Sequence, residues 1–213
     1  MKIIKPYTEI IDEINGQDIL KKIERCGRVC YKSEGKITDG SAEKFVANII
    51  KRGHEAVLEH ASITVKFVVD RGVSHEIVRH RLASYCQEST RYCNYAKDDF
   101  GTEITVIKPL FLDEESVGFE MWKNSCEEAE AAYFNLLDDG YTPQEARAVL
   151  PNSLKTELVM TANLREWRMF FKLRTADAAH PQMREVTIPL LEALKQLIPV
   201  VFDDIGTETK ERF

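Results

Sequence analysis

The apolar positions of this chain recur at two different periods, and the switches between them mark out its elements. Ile19, Leu20, Ile23, Cys26 and Val29-Cys30 fall at helical spacing and predict a helix over residues 18–31. Phe45, Val46, Ile49 and Ile50 predict a second helix, with Ser41 as its N-cap after a polar loop over residues 32–39. Gly53-His54-Glu55 ends that helix. Over residues 61–70, Ile63, Val65, Phe67 and Val69 alternate with Ser62, Thr64, Lys66 and Val68, the pattern of a strand with one buried face. Gly72 breaks it, and Ser74 is the expected cap of a helix that carries residues 79–82.

Residues 1–6 and 102–109 read as short strands. Residues 113–138 read as a long helix with Val117, Met121, Trp122, Cys126, Ala129, Tyr133 and Leu136-Leu137 inward, stopped by Gly140. Thr142-Pro143-Gln144-Glu145 combines a cap, a proline at the first helical position and a glutamate three residues after the cap, so a short helix starts there. A strand over residues 156–162 and a helix over 164–175 capped by Asn163 follow. A last helix over 181–200 is expected to bend at Pro189. The fold class expected is α+β: a single domain over residues 1–205, with a mixed or antiparallel central sheet flanked by helices, and a polar tail over 206–213.

Composition adds few constraints. A chain of 213 residues, 44% hydrophobic and 30% charged, can bury a core of its own. No apolar run reaches the length of a membrane span, and residues 1–6 lack the apolar region of a secretory signal, so a soluble, cytoplasmic protein is expected. The five cysteines are odd in number and include no Cys-x-x-Cys pair, which argues for reduced thiols rather than a disulfide framework or zinc knuckle.

Charge is distributed unevenly. The chain carries −6, yet from Arg71 to Arg91 four arginines stand against two glutamates, a local +2 before His75 and His80 are counted. Such an island can attract an anion without making the surface sticky to nucleic acid. A solvated charge run is the bland reading. Against it, Ile77-Val78 and Leu82-Ala83 bracket the Arg79-His80-Arg81 triplet, and on a helix the triplet would fan over roughly 200°, taking at least one cation off the solvent face.

The ten glycines form neither a dinucleotide fingerprint nor a phosphate loop, so any nucleotide is held by arginine forks, the Ser89 and Thr90 hydroxyls and backbone N–H groups. His75-Glu76-Ile77-Val78-Arg79-His80 misses the zinc motif by one residue. Histidines five apart on a helix point about 140° from each other, so no metal site is expected. Cys86 lies within the basic stretch with no base placed beside it, and reads as a bystander. Trp167, Phe170, Phe171 and Arg174 share one helix stripe, which puts an arginine on an apolar face. Its partner is either an acidic or aromatic side chain of the chain or a ligand, and Arg147, near Leu150, poses the same question.

Together these residues resemble the flavin-dependent thymidylate synthases. That family's signature, R-H-R-x7-S, is matched by Arg79-His80-Arg81 and Ser89. Gly53-His54-Glu55 with Glu59-His60, Arg91-Tyr92, the segment from Arg147 to Pro151, and Asn163-x-Arg165 leading to Leu173-Arg174 support the match in the family's order. The resemblance implies methylation of dUMP to dTMP, with 5,10-methylenetetrahydrofolate as carbon donor and FAD reduced by NADPH as hydride source. It also implies a homotetramer with active sites shared between subunits. On this basis His54, Arg79, His80, Arg81, Gln87, Asn163, Leu164 and Arg165 bind FAD. Glu76, Arg79, Gln87, Glu88, Ser89, Thr90, Arg91, Arg147 and Arg174 bind dUMP, and Arg174 is the catalytic residue, activating and orienting the uracil. Membrane and nucleic-acid partners are not implied.

Several positions depart from the family's usual pattern. Ala56 stands where a Ser or Thr contacts the flavin, Glu76 where Gln meets dUMP, Met169 where Asn or His is frequent, and Cys86 where Asn is frequent. The segment after Arg174 is longer than in some members, which leaves the role of His180 open. Two other readings remain: a non-catalytic nucleotide- or RNA-binding module built on the basic, Tyr-containing stretch, against which the net charge of −6 weighs, and a flavoprotein without methyl transfer.

Overall fold

The computed structural model describes residues 1–97 and 101–206. Its elements are β1 (Lys2–Ile4), β2 (Tyr7–Ile10), α1 (Gly16–Val29), α2 (Ser41–Lys51), β3 (Ser62–Asp70), α3 (Arg71–Ile77), β4 (Ala83–Gln87), β5 (Thr105–Ile107), α4 (Val117–Asp138), α5 (Pro143–Ala146), β6 (Lys155–Asn163), α6 (Leu164–Arg174), α7 (Pro181–Leu197) and α8 (Pro199–Phe202). The fold is α+β, with a four-stranded antiparallel sheet in the order β2-β3-β6-β4 and a parallel pair β1-β5. Most of the tail expected over 206–213 lies outside the described residues.

The chain divides into two compact units. The first comprises Met1–Thr8, Lys66–Arg79 and Tyr85–Val159. Its core is Tyr95, Ile104, Val106, Cys126, Tyr133, Ala146 and Leu154, and β1 is held beside it by pairing Ile3 with Val106. The N-terminal ammonium anchors β1 further through Glu103 at 3.3 Å and Glu130 at 3.1 Å. Helix α4 starts at Val117, capped by Ser116, and only Cys126 and Tyr133 are fully buried on it. Val117 and Met121, expected inward, are 78% and 67% exposed. At about 100° per residue Val117 stands roughly 180° and Met121 roughly 140° from Cys126, so both point away from the face on which Trp122 packs against the core with Cys126 and Tyr133. At α5 the Glu145 carboxylate accepts from the Thr142 N–H at 2.9 Å and from its hydroxyl at 2.6 Å, as the sequence expects of that turn.

Helix α3 differs from the expectation. Asp70, not Ser74, is its cap, accepting from the Val73 N–H at 2.8 Å, so the helix begins four residues earlier. Ser74 lies inside it, buried, and donates to the Arg71 carbonyl. The helix ends at Ile77, and the Arg79-His80-Arg81 triplet lies beyond it in the link to β4.

The second unit comprises Glu9–Val65, His80–Ser84 and Met160–Phe213. Helices α1 and α2 bury Leu20, Ile23, Val46 and Ile49. The cap of α2 is Gly40 at φ +75°, a left-handed conformation, while Ser41 is the first helical residue and hydrogen-bonds Glu24 at 2.7 Å. Gly16 cannot carry a side chain, since a Cβ there would stand 2.2 Å from the Leu197 carbonyl oxygen. Helix α6 contributes Trp167, Phe170 and Phe171 to the core, with Phe171 edge-on to Phe202 of α8 at 5.8 Å. The expected last helix divides into α7 and α8 at Ile198, because Pro199 lacks an N–H and disfavours helical geometry in the residue before it. Among the described residues no helix is long and apolar enough to cross a membrane.

Candidate active site

In the second unit, Asn163 closes β6 and caps α6, its side-chain oxygen accepting from the Glu166 N–H at 2.9 Å. Two buried side chains then leave α6 on different faces. Glu166 meets His80, with Oε1 3.2 Å from Nδ1. The other ring nitrogen, Nε2, accepts from Arg174 Nε at 3.1 Å, and the Phe170 ring stands edge-on to the imidazole at 4.9 Å. Burial lowers the His80 pKa below its ordinary 6.5 and the Arg174 charge adds to this, while the Glu166 carboxylate pushes the other way. The ring is therefore neutral at pH 7, and the Glu166 contact is a hydrogen bond rather than an ion pair.

Arg168 leaves the other side, 1% exposed. Its guanidinium grips Asp204 through two nitrogens, at 2.6 and 2.7 Å, donates to the Val201 carbonyl, and reaches Glu55 at 3.1 Å. Glu55 and Glu166 line a cavity of about 460 Å³, together with Glu59, Leu82, Asn163, Arg165, Met169 and Lys172. Arg165 is tied at its rim to Glu59 at 2.6 Å. The volume lies in the usual range for ligand pockets, roughly 300–1,000 Å³.

The first unit holds a second polar cluster. Gln87, at the end of β4, donates to Ser74 Oγ at 3.0 Å and Thr156 Oγ1 at 3.3 Å. The chain then turns over residues 88–93: the Ser89 carbonyl accepts from the Tyr92 and Cys93 N–H groups and the Ser89 hydroxyl from the Arg91 N–H at 3.3 Å. Glu88 is held from two sides, by the Tyr95 hydroxyl at 3.0 Å and the Lys155 ammonium at 2.8 Å. Burial and the Glu88 charge push the Tyr95 pKa well up, so its hydroxyl stays a donor. Arg147 reaches the Thr90 hydroxyl at 3.4 Å, and Arg91 bonds Gln144 at 3.0 Å. Two guanidiniums, two hydroxyls and a braced turn make an arrangement suited to a phosphate or sugar.

The candidate residues thus fall into two groups. Gln87, Glu88, Ser89, Thr90, Arg91 and Arg147 are in the first unit with Glu76 and Arg79; His54, His80, Arg81, Asn163, Leu164, Arg165 and Arg174 are in the second. The side chains of Arg79 and Arg81 are exposed, and the buried member of the triplet is His80, at 7%. Arg174 is half buried and partnered by a histidine, which neither of the sequence-based alternatives named. Leu164 is core, its N–H bonded to the Ala61 carbonyl. Sequence reasoning missed Glu166, Arg168, Lys155 and Tyr95. For Glu166 a signal existed: it sits three residues after the Asn163 cap, where a carboxylate is favoured.

Three comparisons bear on this arrangement. A family model described as "Thymidylate synthase complementing protein" matches residues 9–200. A flavin-dependent thymidylate synthase of Geobacter sulfurreducens is 34% identical over 186 residues, covering 84% of this chain and 78% of that protein. The enzyme of the same description from Pyrococcus furiosus is 35% identical over 169 residues, covering 79% and 68% respectively. Among solved structures, the UMP/dUMP methylase PolB from Streptomyces cacaoi, bound with 5-Br dUMP, matches with a TM-score of 0.78 over 95% of this chain and 96% of that one. At 24% identity that last likeness speaks for the fold alone.

Proposed function

The chain belongs to the flavin-dependent thymidylate synthase family, and from that premise we propose that it methylates dUMP to dTMP, with 5,10-methylenetetrahydrofolate as carbon donor and FAD reduced by NADPH as hydride source. The observation that carries the reading is the pairing of a fixed, half-buried cation, Arg174 on His80, with a 460 Å³ cavity in the same unit.

The residues of that cavity fit a flavin. Leu82 and Met169 offer apolar surface for a flat ring, Asn163 an amide, and Arg165 and Lys172 positive charge for an anionic tail. Its carboxylates are already engaged: Glu59 by Arg165, Glu55 by Arg168, Glu166 by His80. When bound, FAD supplies the hydride. In this reading Asn163 and Arg165 hold it, with Leu164 packed beneath and His54, Arg79, His80, Arg81 and Gln87 assisting.

The turn over residues 88–93 takes the dUMP phosphate and sugar. Arg147 and Arg91 neutralise the phosphate, Ser89 and Thr90 donate hydroxyl bonds, Gln87, Glu76 and Arg79 complete the contacts, and Glu88 is kept in place by Lys155 and Tyr95. As the pyrimidine is alkylated and reduced, negative charge develops on its carbonyl edge, and a fixed guanidinium stabilises that charge without reorganising. Arg174 is assigned this role. The reading also treats residues 1–205 as one catalytic domain of a cytoplasmic homotetramer with active sites shared between subunits.

Arg174→Ala tests the assignment. The variant is expected to keep its fold and its bound flavin while kcat for dTMP formation falls about 10²–10³-fold, as for the loss of one donor at a developing charge. Full activity in that variant would remove Arg174 from the mechanism.

A further inference from the structure

We propose that Glu166 is a positioning residue for Arg174: it locks the His80 ring in one tautomer, and the lone pair so exposed on the ring fixes the guanidinium. The inference rests on the role assigned to Arg174 above.

The geometry allows one proton arrangement. Arginine Nε carries a hydrogen and can only donate. At 3.1 Å from His80 Nε2 it requires that nitrogen to accept, so Nε2 is bare and the single ring proton of a neutral imidazole sits on Nδ1. There it donates to Glu166 Oε1 at 3.2 Å. The opposite tautomer would place an N–H against the Arg174 N–H and leave the buried carboxylate facing a lone pair. A doubly protonated ring would also lose its bond to Arg174 and set two cations face to face.

Helix α6 builds the relay. Glu166, Phe170 and Arg174 are four residues apart in turn and therefore lie along one face, with about 12 Å of rise between the first and the last. The Phe170 ring, midway, meets the imidazole edge-on and forms the apolar floor on which it rests. Glu166, 5% exposed, occupies the first turn of the helix, where the unsatisfied N–H groups favour negative charge. The groups on α6 that face His80 are thus one carboxylate, one guanidinium and one ring, each in contact with a different part of the imidazole. This is the logic by which a carboxylate sets histidine tautomer and orientation in other enzymes, used here to aim a cation instead of a base.

The test uses full-length protein at saturating FAD, with three variants and two readouts. Glu166→Ala is expected to lower kcat about tenfold to a hundredfold with the flavin spectrum retained, as loss of an outer hydrogen-bond partner does elsewhere. Glu166→Gln keeps an oxygen acceptor and is expected to restore most of the rate. In protein labelled with ¹⁵N-histidine, the His80 resonances should show a protonated Nδ1 and a bare Nε2 in the wild type and in Glu166→Gln, and a tautomer mixture in Glu166→Ala. Should the alanine variant not fold, the glutamine variant still decides: without the carboxylate charge, His80 titrates at lower pH, and an unchanged titration overturns the proposal. Wild-type kcat and tautomer in Glu166→Ala, alongside an inactive Arg174→Ala, overturn the positioning role alone. An active Arg174→Ala overturns the functional reading beneath it.

Discussion

Replacing Arg168 by methionine removes a buried cation from the point where α6, α8 and Glu55 meet. Methionine fills most of the vacated space, so the cost is electrostatic rather than a cavity. Four hydrogen bonds are lost: two to Asp204, one to Glu55 and one to the Val201 carbonyl. Breaking a buried ion pair by removing one partner costs roughly 3–5 kcal/mol. Here the side chains of Glu55 and Asp204 are 22% and 48% exposed, so water recovers part of their solvation and about 2–4 kcal/mol remains. For a chain of this size each kcal/mol moves the melting temperature by about 2–4 °C, so the variant should melt roughly 5–15 °C lower. Both proteins are to be compared free of flavin, because a bound ligand would stabilise each by its own affinity.

The pH dependence of that gap is a second check. Burial alone would raise the Asp204 pKa, but the Arg168 hydrogen bonds and charge outweigh it and hold it below the ordinary 3.8. A depressed acid contributes stability that is present above the unfolded value and lost as pH falls through the folded one. The difference between wild type and Arg168→Met should therefore be full above about pH 5 and shrink below about pH 4. A melting temperature within about 2 °C of wild type, at neutral pH, would refute the reasoning.

Lys155→Met removes one of two groups that hold Glu88 against the nucleotide turn. It should raise the KM for dUMP about tenfold with kcat little changed, equivalent to one charge-assisted hydrogen bond of about 1.5 kcal/mol, and an unchanged KM would show that the turn needs no such brace. His80 is a base whose folded pKa is lowered, chiefly by burial. The unfolded chain takes up that proton first, so the urea midpoint should be insensitive to this group above pH 6.5, then fall as the pH drops from 6.5 toward the folded value and level off below it. His80→Gln should remove that component, and an identical pH profile in the variant would contradict it.

Where the sequence was legible, a period or a cap carried the information. Strand β3 alternates because one face is core, and α6 shows its stripe because Trp167, Phe170 and Phe171 pack on one side. Strands β2 and β4 went unread because both are edges of the order β2-β3-β6-β4. An edge strand such as Ala83–Gln87 buries little on either face, so its sequence shows no alternation. At α3 two residues were competent to cap, and a local rule could not rank Asp70 against Ser74. The Arg79-His80-Arg81 triplet consequently looked helical, when its working feature is the one ring turned inward.

The candidate site was legible where it repeats a signature and illegible where it depends on pairs distant in sequence. Glu166 finds His80 86 residues away, and Arg168 finds Glu55 113 residues away. A charged residue on a helix gives no sign of burial until such partners are known, and nothing in the sequence singles out Arg168, which is 1% exposed. The arginine stripe argument came closer, placing Arg174 on the apolar face without identifying the histidine that holds it.

The central claim, that the protein binds both a flavin and dUMP, is tested most directly by the absorbance spectrum of the purified protein supplied with FAD and titrated with dUMP. The account predicts a yellow protein whose flavin bands shift saturably as dUMP binds. A colourless protein that takes up no added FAD would contradict it.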